Sequence, residues 1–351
     1  MSRHAAPTRR ACTARPSRQE TEMTRRPTAT LAALALAATL AGPAAAQETR
    51  SYTDALGRTV EIPVDPQRII GLWDWDITTA LIELGAPVVG SHGRVREDGS
   101  TYIRPANVIL GVSFDTSDIA FTGAWQQFDF EAMAELEPDL LIARARDADL
   151  REQFEAVGPV VFVDTDGFAL DSYRAIADVV GETEQFEARS ARFQALLKDA
   201  AAWVGENDYT YTIIQAAGAD ASQVNIYADY SMKSYILERI GFTIAGEGAR
   251  LRAAGEERIT GSPELIPAQD ADFVFGNYRI DQGAANGPRI EDARLDEMLP
   301  GYCDFLAACA DGRMILVPRE HAVVPSFQAW QTLTHIIVSH VAGRPGIAVP
   351  D

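Results

Sequence analysis

Between Thr183 and Trp203 the chain runs without a glycine or a proline. Phe186, Phe193 and Leu197, with Leu196, Ala200 and Trp203 beside them, fall on one side at helical spacing. At about 1.5 Å per residue such a helix is roughly 30 Å long, enough to cross from one small domain to another. The segments it separates set the fold class. On each side short β-branched runs alternate with amphipathic stretches. Unbroken apolar strands with helices between them indicate parallel sheets covered on both faces. The expected class is α/β, and the length suggests about two domains.

In the first half, residues 68–72, 88–89, 140–143 and 160–163 read as strands, and 77–84, 131–136 and 150–157 as helices. Tyr173 to Trp203 is almost pure helix, broken at Gly181. After Asn207-Asp208 the alternation restarts. Strands are expected at 210–215, 273–275 and 314–317, and helices at 232–240, 263–268 and 326–341. The expected bounds are an N-terminal lobe at 47–170, a helical connector at 171–206 with its long helix at 183–203, and a C-terminal lobe at 207–351. An internal echo supports two similar lobes. Phe130 to Ile142 is a helix running into a strand, and Pro263 to Phe275 has the same rhythm, each with a Glu near the helix start and an Asp eight residues later.

The N-terminus follows a different grammar. From Met23, Arg25 and Arg26 make a positive start, Leu31 to Leu40 is apolar, and Ala44-Ala45-Ala46 offers small residues at a cleavage site. That is the pattern of a secretory signal peptide. The run is half the roughly 20 residues of a spanning helix, and a core helix has no reason to end in Ala-x-Ala. Residues 1–46 are the expected leader, with Met23 the expected true start and either the Sec or the twin-arginine route open. No Cys follows the apolar run, so no lipid anchor is expected. Removing the leader's seven Arg and two Glu leaves 24 basic and 48 acidic residues, a net charge of −24. A polyanion is bound by clustered Lys and Arg, so nucleic acid is excluded as a partner. Cys303 and Cys309 remain in the exported chain and read as a local disulfide. A zinc pair is the alternative, but no His or second Cys pair lies nearby.

Three stretches then point to a family. They are Asp54-Ala-Leu-Gly-Arg58-Thr-Val-Glu-Ile-Pro63-Val-Asp-Pro66-Gln-Arg68, Leu81-Ile-Glu-Leu-Gly85-Ala-Pro-Val-Val-Gly90, and the Glu-x(4)-Leu-x-Pro-Asp-Leu run at 131–140. They resemble the periplasmic substrate-binding proteins of ATP-binding-cassette importers for ferric siderophores, haem and cobalamin. The resemblance covers the whole exported chain and is closest up to about residue 205. It implies two Rossmann-like lobes with central parallel sheets, joined by the single long rigid helix 183–203, with the ligand in the cleft between them. It implies a monomer that docks on an inner-membrane permease through one surface Glu on each lobe. Glu131 and Glu264 match those positions; each is also a first-turn residue that the helix macrodipole favours.

The same pattern places ligand contacts on loops after strands. Trp73-Asp74-Trp75, Ser91-His92-Gly93-Arg94 and Arg144-Ala145-Arg146 follow strands of the first lobe. Tyr227 and Tyr230, Tyr278 and Arg279, and Arg319 with His321 follow strands of the second. The expected contacts are Trp73, Arg94, Arg144, Arg146, Tyr230, Tyr278, Arg279 and Arg319. Arginine presents a planar fork of donors suited to carboxylate or catecholate oxygens, and local positive potential in a cleft can oppose a negative global field. An anionic iron(III)–siderophore complex, catecholate or citrate-like, is therefore the expected cargo, with haem or cobalamin as alternatives. Bare metal is disfavoured because the exported chain has only His92, His321, His335 and His340, and His335 and His340 do not share a helix face. Gly246-Glu247-Gly248 lacks the third glycine of a dinucleotide loop, and Ser231-Met232-Lys233 has the wrong spacing for a penicillin-binding nucleophile. No catalytic residue and no resident cofactor are expected.

Overall fold

The computed structural model describes residues 47–125, 127–204, 207–217, 222–280 and 287–342. The leader expected at 1–46 lies outside them. The described chain opens in an antiparallel hairpin of β1 (Thr49–Thr53) and β2 (Thr59–Pro63). Its turn is made by Asp54, which accepts the Leu56 and Arg58 backbone N–H groups at 3.0 Å each, while Gly57 takes φ 74°. An Asp side chain that bonds its own backbone two and four residues on is a turn device, and the left-handed φ suits glycine.

The N-terminal lobe then winds as β3 (Ile69–Gly71), a π-helical turn at Asp74–Thr78, α1 (Thr79–Leu84), β4 (Val88–Val95), β5 (Thr101–Tyr102) and α2 (Arg104–Ile109). It continues through β6 (Ala120–Ala124), β7 (Gln127–Phe128), α3 (Phe130–Glu135), β8 (Leu140–Arg144), a 3-10 segment at Ala145–Leu150, α4 (Arg151–Glu155) and β9 (Val160–Val163). The sheet order is β7-β6-β4-β3-β8-β9, with β5 on β4. The five strands β6, β4, β3, β8 and β9 are parallel to their neighbours, while β5 and β7 run antiparallel. β4 is much longer than the expected 88–89. Its second half, Ser91-His92-Gly93-Arg94-Val95, is no apolar run, but β6 and β5 pair with it, and partners override weak local preference. His92 and Arg94 are thus strand residues rather than loop residues.

The connector is α5 (Ala169–Val179) and α6 (Thr183–Val204), separated at Gly181, whose φ is 79°. The C-terminal lobe follows as β10 (Thr210–Ala217), β11 (Gln223–Tyr227), α7 (Met232–Arg239), β12 (Thr243–Ile244), α8 (Gly246–Ala253) and β13 (Arg258–Gly261). After a 3-10 segment at Pro263–Gln269 come β14 (Phe273–Tyr278), α9 (Pro288–Met298), α10 (Ala307–Ala310), β15 (Met314–Pro318), α11 (Arg319–Val323) and α12 (Phe327–Ala342). The order is β13-β11-β10-β14-β15, with β12 on β10. Here the sheet is mixed: β12, β10, β14 and β15 are parallel, but β11 pairs antiparallel with both β10 and β13. The expected parallel strands form the centre of this sheet, and the antiparallel β11 extends it beside β10.

One apolar core runs from Ile69 and Leu140 in the first sheet, through Tyr173, Phe186 and Phe193 of the connector, to Phe275 and Trp330 in the second lobe. α12 packs along α6, and the rings of Tyr173, Phe186, Phe193, Phe327 and Trp330 meet edge-on or tilted in one cluster. A buried carboxylate fastens the joint. Glu83 of α1 accepts Tyr173 Oη at 2.6 Å, Ser326 Oγ at 3.0 Å, and the Phe327 and Gln328 backbone N–H groups at 2.8 and 2.7 Å. It caps the positive end of α12 from the first lobe.

Candidate functional site

Strand order marks where a candidate site falls. From β3 the chain moves outward to β4 and β6, then returns to the other side of β3 with β8 and β9. Ligands of open α/β sheets sit beyond the carboxyl ends of the strands where the winding reverses. That point is the end of β3 beside β8, and it carries Trp73 and Arg144. At Gly71 a Cβ would collide with Thr78, so the turn of 74–78 can fold back onto the strand only because that position is glycine.

Within this turn Asp74 is completely buried. It receives Arg94 Nη2 at 3.3 Å and Nε at 3.4 Å, and the Arg104 backbone N–H at 3.3 Å. His92 Nδ1 lies 3.7 Å away. Burial alone would raise the Asp74 carboxyl, but His92, Arg94 and Arg104 together hold it below the ordinary carboxylate range. Trp73 is clamped between side chains: the Arg144 guanidinium lies 3.6 Å from its ring, Arg94 5.0 Å, and His92 stacks at 5.0 Å. Arg94 also covers Trp125 at 4.9 Å, and Trp125 stands edge-on to Trp73 with 58% of its surface exposed. Arg144 gives its Nε–Nη2 edge to Asp147 at 2.7 and 2.8 Å. Arg94 gives the same edge to Asp74. Arginine has five N–H donors, so both keep their Nη1 edges available. Arg146 pairs with Asp166 at an exposed rim.

The lobes meet at Trp75. Arg104 lies over its ring at 4.1 Å, and Arg319, which begins α11 in the second lobe, at 5.2 Å. On the side of Arg319 two half-buried tyrosines stand over a fully buried lysine. Tyr230 meets Tyr227 edge-on at 4.8 Å, and Lys233 Nζ lies 4.2 Å from the Tyr230 ring while donating to Asn277 Oδ1 at 2.8 Å. Burial drives the Lys233 ammonium well below its usual range and pushes the Tyr230 phenol up. Ser231, at φ 47°, makes the turn from Tyr230 into α7. His321 is buried beside Arg319 and Glu320, and burial lowers it to about 4.

Of the eight contacts expected from the sequence, Trp73, Arg94 and Arg144 form one cluster, and Arg319 lies over Trp75, two residues along the chain from Trp73. Tyr230 lies behind Arg319, and Arg146 stands on the rim. Tyr278 lines a different cavity of about 580 Å³ with Arg289, Tyr302, Met314 and His340. Side chains alternate along a strand, so Tyr278 faces away from its neighbour Asn277, which touches Lys233. Arg279 is part-buried at the end of β14. Glu131, in the first turn of α3, and Glu264, in the first turn of the segment at Pro263–Gln269, are both exposed. Asp129 caps the Glu131 turn through Ala132 N at 3.0 Å. Cys303 and Cys309 are joined in a disulfide. Among the described residues no cluster of His, Cys, Asp or Glu is arranged to hold a metal ion, and no helix is long and apolar enough to cross a membrane.

Sequence reasoning missed Arg104, Lys233 and the ionic role of Asp74. Arg104 lay in a stretch, 95–128, where no element was expected. The Trp-Asp-Trp-Asp alternation after a strand was the available signal for Asp74, since a carboxylate between indoles there needs a cation.

Comparison with known proteins bears on the family and the fold. A family model described as "Periplasmic binding protein" matches residues 74–299. The probable siderophore-binding lipoprotein YfiY of Bacillus subtilis is 27% identical over 246 residues, covering 68% of this chain and 72% of its own. The ferric enterobactin-binding periplasmic protein FepB of Escherichia coli O6:H1 is 26% identical over 225 residues, covering 61% of this chain and 68% of its own. Among solved structures, Staphylococcus aureus SirA complexed with staphyloferrin B superimposes with a TM-score of 0.64 at 20% identity, over 84% of this chain and 98% of that one. That likeness shows the fold.

Proposed function

This chain belongs to the periplasmic binding protein family, and we propose that it is the solute-binding component of an ATP-binding-cassette importer that captures an anionic ferric siderophore, catecholate or citrate-like, and hands it to an inner-membrane permease. The observation that carries this reading is the alternation Trp125, Arg94, Trp73, Arg144 at the point where the first sheet reverses its winding. Indoles lie against the guanidinium faces and hold the planes in place. The open Nη1 edges are then aimed, pre-organised donors for the oxygens of a chelate, and Trp125 offers an exposed aromatic surface beside them. The names of the two relatives, one siderophore-binding and one ferric enterobactin-binding, support the same cargo class. Arg319 reaching Trp75 across the lobes supports a cleft closed by both halves. The shared core and the Glu83 cap favour small opening motions over wide ones. The protein works in the periplasm, binds without turnover and needs no resident cofactor. Glu131 and Glu264, exposed in first turns on the two lobes, are the docking groups for cationic side chains of the permease.

The test is a tryptophan-fluorescence titration of the exported form with ferric citrate, ferric catecholates, ferric hydroxamates, haem and cobalamin, each beside its iron-free form or a matched absorber. Saturable quenching by a ferric catecholate or citrate complex is expected. Quenching only by haem, cobalamin or a neutral hydroxamate complex would overturn the anionic-chelate reading.

A further inference from the structure

Asp76 differs from the other acids of the cleft. Asp74 is taken up by Arg94 and the Arg104 backbone, with His92 3.7 Å away, Asp147 by Arg144, and Asp166 by Arg146. Asp76 stands on the same turn as Asp74, part-buried between Trp75 and Ile77, and no hydrogen bond or ion pair among the described residues ends on it. The charged groups on the elements packed against this turn are engaged elsewhere or act from a distance. Arg144 and Arg146 from the end of β8 and Arg104 of α2 act on Asp76 at a distance, and Asp74 repels it. His92 and Arg94 of β4 are engaged with Asp74. Glu83 of α1 is committed to Tyr173 and α12. Asp171, Arg174 and Asp178 of α5 are exposed and pair elsewhere. Burial dominates, and it lifts the Asp76 carboxyl to about 7.

The charge balance of the wall therefore turns on one proton. With Asp76 neutral, the wall around Arg94, Arg144 and Arg146 carries one negative charge fewer than with Asp76 ionised. An anionic chelate prefers the first state.

We propose that Asp76 couples capture to protonation: as the anionic chelate enters, the Asp76 carboxylate takes one proton from solvent, and it returns that proton when the chelate leaves. The coupling rests on the anionic-chelate reading above. By linkage, the factor by which the bound chelate raises the proton's hold on Asp76 is the factor by which that proton raises the chelate's hold on the cleft. Affinity therefore rises as the pH falls through neutrality, and the effect saturates once Asp76 is neutral in the empty protein.

The experiment is isothermal titration calorimetry with a ferric tris-catecholate, in buffers of different ionisation enthalpy, on the wild type, Asp76→Asn and Asp76→Glu. The wild type should take up close to one proton per chelate at about pH 8 and bind about tenfold more tightly at about pH 6. Asp76→Asn should lose both the uptake and the pH dependence, binding at about pH 8 as tightly as the wild type does at about pH 6. Asp76→Glu should restore the uptake. Equal proton uptake by the wild type and Asp76→Asn would overturn the coupling. So would a loss of affinity in Asp76→Asn at about pH 6, which would make Asp76 an acceptor for a donor on the chelate. Absence of binding by the wild type at every pH would instead bring down the anionic-chelate reading, and this inference with it.

Discussion

Replacing Glu83 by Ala removes one carboxylate that four donors share, three of them buried and the Gln328 N–H part-buried. Two of the four are the first backbone N–H groups of α12, and the others are the hydroxyls of Ser326 and Tyr173. Ser326 and Phe327 are essentially inaccessible, so water does not replace the acceptor without rearrangement. An orphaned buried donor costs about 1–3 kcal/mol. A plain sum over four donors overshoots, because the desolvation cost of the carboxylate is recovered and Ser326 still caps Ala329 N at 3.2 Å. Breaking a buried, charge-assisted network costs about 3–5 kcal/mol in practice, and that is the expected loss for Glu83→Ala. Tyr173→Phe leaves Glu83 its other three donors and should cost only about 1 kcal/mol. Urea unfolding of both single variants and the double variant gives the coupling. Hydrogen exchange at the Phe327 and Gln328 amides should accelerate in Glu83→Ala ahead of the rest of α12. A loss below about 1 kcal/mol, with those amides still protected, would refute the idea that Glu83 fastens the closing helix to the first lobe.

Three further outcomes follow from the site. Arg94→Ala and Arg144→Ala should each weaken ferric-chelate binding by about 1–3 kcal/mol in the fluorescence titration, the scale of a charge-assisted hydrogen bond; unchanged affinity in both would dismiss the guanidinium edges as ligand contacts. Glu131→Ala and Glu264→Ala should leave chelate affinity intact and reduce uptake in cells that depend on the importer. Loss of binding in either variant would place that Glu in the site instead. His321 is held neutral by burial at about 4, below the unfolded imidazole's 6.5. The unfolded chain therefore binds more protons between these values, so stability is full above about pH 6.5 and falls on acidification, by about 3 kcal/mol by about pH 4. His321→Gln should flatten the pH dependence of the urea midpoint over that window, and an unaltered slope would show that His321 titrates freely.

Much of the architecture was legible because it is local. The strand at 160–163, the helix at 183–204 and the turn at Gly181 follow from periodicity, from β-branched runs and from glycine's access to left-handed φ. Strands whose stability comes from their partners were not legible. β4 runs through Ser91-His92-Gly93-Arg94 because β5 and β6 flank it, and β11 lies antiparallel because it is paired by a hairpin. The site divided in the same way. Trp73, Arg94 and Arg144 could be selected as polar or aromatic residues at strand ends, but the sheet's alternating faces sent Tyr278 to another cavity.

The chain's own order of residues thus determines an exported α/β protein of two lobes with cationic and aromatic strand ends, since short-range periodicity and composition suffice for each of these. Only tertiary structure decides how the charges are shared. Asp74 meets Arg104, Trp75 meets Arg319, and Glu83 meets the start of α12 across separations that no local rule spans. It also leaves Asp76 without a partner. The physical reason is that a charge's meaning depends on its burial and on its neighbours in space, and folding sets both at once.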